Sequence, residues 1–194
     1  EERLAELLGA PDTLVLPTIS QIHVAVIPAL VGKGTVFVES LAHKTVYDGC
    51  LHARGLGATL ERFKSGDLTQ LEEQLRRSAV GPRLVCLDGV NSMTGNLPDL
   101  PAYVALCREY GAVLYVDDAH GFGVIGERRP DESSPYGARG NGIVRHLGLG
   151  YEDLVLVGGF SKAYSSLLAF LTAPTPVKNY LKVTAPTYLY SGPS

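Results

Sequence analysis

Along this chain, short runs of apolar and β-branched residues alternate with stretches in which apolar positions recur every three or four residues. The runs predict seven strands: Leu14–Pro17, Thr35–Glu39, Ala58–Phe63, Leu84–Asp88, Val113–Asp117, Leu154–Gly158 and Leu168–Thr172. Two of them, Leu-Val-Leu-Val at 154–157 and Val-Leu-Tyr-Val at 113–116, are apolar at every position instead of alternating. That pattern marks burial on both faces, hence a mostly parallel sheet covered by helices. Leu4, Leu7 and Leu8 follow helical spacing up to Gly9, and Leu68, Leu71 and Leu75 form an apolar stripe against a charged face. Asp67 and Asp99 stand where helix caps belong. The expected fold is α/β, three layers with about seven mostly parallel strands, in which ligands bind beyond the strands' carboxyl ends.

Composition narrows the function classes. With 194 residues, 45% hydrophobic, 19% charged and a net charge of -3, the chain can bury a sizeable core, and nothing in it favours nucleic acid. Cys50, Cys86 and Cys107 are odd in number and form no C-x-x-C pair, so neither a zinc site nor a disulfide framework is expected. A reducing, cytoplasmic compartment is the simple expectation. No apolar run reaches the roughly 18 residues of a membrane span. Helical spacing that starts at the first residues, and a strand-like stretch running off the far end, suggest that residues 1–194 are one domain of a longer chain. The Pro/Gly/Ser-rich stretch from Glu127 to Gly142 reads as a surface loop.

Candidate chemistry lies at the strand ends. Lys162 follows the strand that ends at Gly158, in Phe160-Ser-Lys-Ala-Tyr164, and Asp117 closes another strand just before Asp118-Ala-His120. An amine, a carboxylate and an imidazole at strand C-termini are what pyridoxal phosphate chemistry requires: a lysine to hold the aldehyde as a Schiff base, an aspartate to keep the ring nitrogen protonated, a histidine to tune the ring substituents. Singly, each has a plainer reading, since a lysine after a strand is often a solvated residue and an aspartate there often caps a turn. Asp118 points away from Asp117 if the strand continues, which suits a structural role.

Three other motifs compete. Gly121-Phe-Gly-Val-Ile-Gly126 matches G-x-G-x-x-G, but Glu127-Arg-Arg-Pro-Asp after it has no apolar helical period to receive a pyrophosphate. Gly32-Lys-Gly-Thr35 precedes a strand instead of following one and lacks the P-loop's first glycine, so it is a turn. Gly159-Phe-Ser-Lys-Ala163 is similar to the nucleophile elbow of serine hydrolases, yet beyond Ser161 the chain has no histidine, aspartate or glutamate.

Taken together, four segments resemble one family. Val116-Asp-Asp-Ala-His-Gly121 with Phe160-Ser-Lys162 looks like the fold-type-I pyridoxal phosphate enzymes; Leu41-Ala-His-Lys-Thr-Val-Tyr-Asp-Gly49 and Asp88-Gly-Val-Asn-Ser-Met-Thr-Gly95 resemble segments of their α-oxoamine synthase branch. The branch includes 8-amino-7-oxononanoate synthase, 2-amino-3-ketobutyrate ligase, 5-aminolevulinate synthase and serine palmitoyltransferase. The resemblance implies the large domain of a homodimer, and condensation of an amino acid with an acyl thioester, usually with loss of CO2.

The same resemblance implies residue roles. Lys162 carries the cofactor and removes the Cα proton, Asp117 pairs with the ring nitrogen, and His43 stacks on the ring. His120 and Ser92 bond around the ring hydroxyl and substrate carbonyl. Thr18, Ile19 and Ser20, at the head of an apolar helix, hold the phosphate, with Ser161 near it and Ser191 reaching the partner's phosphate. The bulky stretch Ala163–Phe170 departs from the branch, where glycines follow the lysine. An aminotransferase or lyase of the same fold, a serine hydrolase and a non-catalytic binding module are the alternatives.

Overall fold

A computed structural model describes residues 1–79 and 81–191. The elements run α1 (Glu2–Leu8), β1 (Thr13–Leu16), α2 (Ile19–Val31), β2 (Thr35–Glu39), α3 (Lys44–Gly55), β3 (Thr59–Phe63), α4 (Leu68–Arg77), β4 (Arg83–Asp88), α5 (Leu100–Glu109), β5 (Val113–Asp117), α6 (Ile143–His146), β6 (Leu154–Gly159), β7 (Ala169–Thr172), α7 (Thr175–Thr184) and α8 (Pro186–Tyr190). Each expected strand is present, with ends within a residue of the reading, because β-branched apolar runs bounded by turn residues have little else to become.

The seven strands form one sheet in the order β1-β7-β6-β5-β4-β2-β3. Pairings from β3 through β6 are parallel, whereas β7 lies antiparallel to both β6 and β1. Period-two alternation then divides the fully apolar strands between two cores. Val36, Val38, Leu84, Cys86, Val155 and Val157 pack with α2 and α3 on one face. Phe37, Val85, Leu87, Leu114, Val116 and Leu156 pack with α4 and α5 on the other. Burying one such side chain contributes about 1.5–3 kcal/mol, so a strand that feeds both cores is strongly held.

Helix starts are fixed by side-chain caps. Thr18 accepts from the Gln21 N–H, Asp67 from Gln70 and Asp99 from Ala102, each worth about 1 kcal/mol. Helices α2 and α3 approach closely at Gly49, where a Cβ would lie 2.6 Å from the His23 carbonyl oxygen. No helix among the described residues is long and apolar enough to cross a membrane. Neither Gly126 nor Ser161 is followed by the helix that a dinucleotide site or a nucleophile elbow demands; irregular chain follows the first and a turn the second.

Candidate active site

Parallel register sets Asp88, the last residue of β4, beside Asp117, the last of β5. Both face a cavity of about 180 Å³ beyond the strand ends, lined also by Thr18, Ile19, Ser20, His43, Thr45, Val90, His120, Ser161, Lys162 and Leu167. Eight of the ten residues expected at the site therefore share one cavity. Ser92 does not line it: the turn from Asn91 to Gly95, closed by the Gly95 N–H on the Asn91 carbonyl, carries it aside. Ser191 follows α8, with its hydroxyl on the Thr187 carbonyl, and stands apart from the cavity as well.

Asp117 is buried and doubly held. Its Oδ1 accepts from the Ala119 N–H at 3.1 Å, and its Oδ2 lies 3.0 Å from Nε2 of His23, which is also buried. Burial alone would raise this carboxyl; the charge and hydrogen bond of His23 outweigh it and hold Asp117 below the ordinary carboxylate range. His23 then bonds Tyr115 through Nδ1 at 2.8 Å. No motif in the sequence surrounds His23, and the sequence reading assigns it no role.

The next residue shows the opposite balance. Asp118 is fully buried, accepts from the Ile143 N–H at 2.8 Å through Oδ2, and has no partner for Oδ1 among the described residues. Burial pushes it up to about 8. The Gly121 and Phe122 N–H groups donate to its carbonyl and close the turn that carries His120. Gly121 is required there, since a Cβ would come 2.0 Å from the Asp118 carboxyl. The structural role expected of Asp118 has a physical content: it builds the turn.

Asp88, which in the sequence is only the first letter of a motif, accepts the His43 N–H at 2.9 Å and is pushed up to about 7, chiefly by burial. His43 caps α3; its Nδ1 accepts from Thr45, which leaves Nε2 to carry the ring proton. Burial, then the nearby Lys162 ammonium, lowers His120, so its imidazole is neutral at physiological pH.

Lys162 sits in the nine-residue connection between β6 and β7. The Phe160 N–H on the Leu168 carbonyl and the Ser166 N–H on the Phe160 carbonyl pin that connection. Within it Ser165 has φ 48°, the one left-handed non-glycine among the described residues. Of the bulky residues after the lysine, Leu167 is exposed, while Tyr164 lies 5.3 Å from Phe160 and 5.4 Å from Phe122, centroid to centroid. Such pairs contribute about 0.5–1.5 kcal/mol each and fix a turn that glycines would leave loose. The lysine side chain itself is exposed at the cavity mouth.

The donor set suits pyridoxal phosphate. At one end the Ile19 and Ser20 N–H groups, the first of α2, have no protein acceptor among the described residues, and the hydroxyls of Thr18, Ser20 and Ser161 are adjacent, which matches a phosphate. At the buried end a carboxylate held ionised matches a ring N–H, and an amine stands at the mouth.

Comparison with known proteins agrees. The family model for aminotransferase class I and II matches residues 1–194. An 8-amino-7-oxononanoate synthase of Pseudomonas putida is 40% identical over 193 residues, covering 98% of this chain and 46% of that protein. The same enzyme of Methylococcus capsulatus is 39% identical over 193 residues, with coverage of 98% and 46%. A serine palmitoyltransferase from S. paucimobilis, solved with a bound PLP-myriocin aldimine, superposes with TM-score 0.85 at 27% identity, over 100% of this chain and 46% of that one. The chain thus spans about half the length of the relatives it matches. Since the family match runs from the first residue to the last, the chain belongs to the aminotransferase class I and II family, and the relatives it matches are named for enzymes of the α-oxoamine synthase branch that its segments resemble.

Proposed function

We propose that this chain is the cofactor-binding part of a pyridoxal phosphate-dependent acyltransferase, which joins an amino acid to an acyl thioester and releases CO2 to give an α-aminoketone. One observation carries the reading: Lys162, Asp117, His120, His43 and the open N-terminus of α2 converge on a single cavity. The cofactor, when bound, supplies an aldehyde and an electron-accepting ring. Asp117 would hold a proton on the ring nitrogen, and His43 would lie against the ring. Neutral His120 offers a hydrogen bond at the ring edge. The α2 N–H groups with Thr18, Ser20 and Ser161 bind the phosphate. Lys162, on its pinned connection, takes the proton from the substrate Cα and returns it.

In this reading the residues that grip the substrate carboxylate lie outside 1–194, Ser191 serves a second copy of the chain, and the enzyme works in the cytoplasm. Purified full-length protein should be yellow, and borohydride should bleach it while fixing the cofactor on Lys162, as peptide mass reveals. Thiol release, followed across amino acids and acyl donors, then identifies the substrates. A colourless protein that takes up no pyridoxal phosphate would refute the assignment. The family match also admits simple amino transfer; that reading gains if amino groups pass to keto acids with no thiol released.

A further inference from the structure

Helix α2 is apolar along its inner side, with Ile22, Ala25, Val26 and Ile27 buried in the core, and yet His23 stands fully buried among them. Its ring reaches Asp117, 94 residues away, and Tyr115, two residues before that aspartate on the same strand. We propose that His23, backed by Tyr115, is a positioning residue that fixes both the direction and the charge of the Asp117 carboxylate toward the cavity. The inference rests on the cofactor reading above and names the device that prepares that site.

Hydrogen-bond chemistry sets the order of the chain. An ionised carboxylate only accepts, so Nε2 of His23 carries the hydrogen that points at Asp117. Nδ1 meets a hydroxyl that can either donate or accept. The Nε2–H bond to Asp117 is therefore kept whether the imidazole is neutral or charged. Tyr115 remains a phenol throughout, since burial and then the nearby Asp117 charge push its hydroxyl well above the ordinary range. With the Ala119 N–H on Oδ1 and His23 on Oδ2, two bonds from different elements stop the carboxylate from rotating.

The rest of the surroundings cannot replace this partner. Asp88 and Asp118 are carboxyls that disfavour a charge on Asp117, Cys50 and Cys86 near Tyr115 are buried and free, and His43, His120 and Lys162 stand on the cavity side. The His23 side chain is fully buried, and α3 approaches its backbone closely at Gly49. His23 is thus the cationic or donor group that reaches Asp117 from the core, leaving the cavity-facing side of the carboxylate free for a ligand.

The test uses His23→Gln, which keeps an amide donor near the position of Nε2 and loses the charge, His23→Leu, which loses both, and Tyr115→Phe. Carbon-13 labelling of aspartate follows the Asp117 carboxyl directly, without cofactor. In the parent protein its signal should stay that of a carboxylate between about pH 5 and 8. A donor that bonds the charged form of a carboxyl, the more so when its ring is protonated, lowers that carboxyl. Its removal should therefore bring Asp117 into titration within that range, furthest in His23→Leu, less in His23→Gln and least in Tyr115→Phe.

In the same variants pyridoxal phosphate should bind about tenfold or more weakly, and the absorbance of the bound cofactor should change its pH midpoint, with His23→Gln intermediate. A mere packing role would lower melting temperature and leave both titrations where they are; that result overturns the proposal. If His23→Leu fails to fold, His23→Gln and Tyr115→Phe decide it. A shifted Asp117 signal in a protein that binds no pyridoxal phosphate would uphold the device while refuting the cofactor reading.

Discussion

The two ends of the sheet carry the same kinds of charge and treat them in opposite ways. At the amino ends of the central strands, Arg108 pairs with Asp153 at 2.9 Å with both side chains in solvent, and Arg83 spends its guanidinium on the Ser78 hydroxyl and the Tyr110 carbonyl. At the carboxyl ends, Glu39, Asp88, Asp117 and Asp118 are all buried, and among the described residues His23, on Asp117, is the one basic side chain bonded to any of them. Exposed pairs exchange water for a partner and gain little. Burial holds Asp88 up at about 7 and Asp118 at about 8, a standing cost that a fold does not need. Such a concentration of cost marks the end of the sheet where binding and catalysis belong.

Substitutions at the two ends should separate them by orders of magnitude. Lys162→Ala should lower turnover roughly 10³-fold or more, with borohydride no longer fixing the cofactor, as peptide mass and thiol release check. Asp117→Asn keeps the shape and loses the charge; turnover should fall about 10²-fold and cofactor affinity with it, measured by absorbance titration.

Asp118→Asn acts on stability. Because the folded protein holds protons on Asp118 and Asp88 that the unfolded chain releases above about pH 4, stability should fall as pH rises from there and level off past about 8. The amide does not titrate and so removes the Asp118 share; the fall in stability across that interval, read from melting temperature, should shrink by several kcal/mol, at about 1.4 kcal/mol for each pH unit by which burial raises the group. A variant with the parent's slope would show that Asp118 is not the buried acid. Smallest of all, Arg108→Ala at the opposite end should cost less than about 1 kcal/mol by denaturant melts and leave turnover alone.

The strands and the cavity could be read in advance because both follow from local pattern: apolar runs end in Asp88 and Asp117, and parallel sheets present such ends together. Sheet order could not, and neither could the reversal of β7, since a buried run of four residues, three of them apolar, carries no mark of direction. His23 escapes notice in the sequence because its partner lies 94 residues away, although a histidine on the apolar side of a helix is itself a signal that some acid must meet it. Ser92 stands out in its segment only by resemblance, while the carboxylate at the head of the same segment is the group that reaches the cavity. A tight turn, invisible in apolar periodicity, makes that difference.

The reversal of β7 has a practical corollary. Because β6 and β7 are antiparallel neighbours, the nine residues between them leave and re-enter the sheet side by side, and their ends are tied by backbone bonds that any sequence can make. The Lys162 amine therefore rides on a short cassette whose ends close on each other. Transplanting residues 160–168 from a relative would exchange the lysine-bearing segment with Phe160 and Tyr164 in one move, provided their replacements still fit Phe122 and Phe170 beneath.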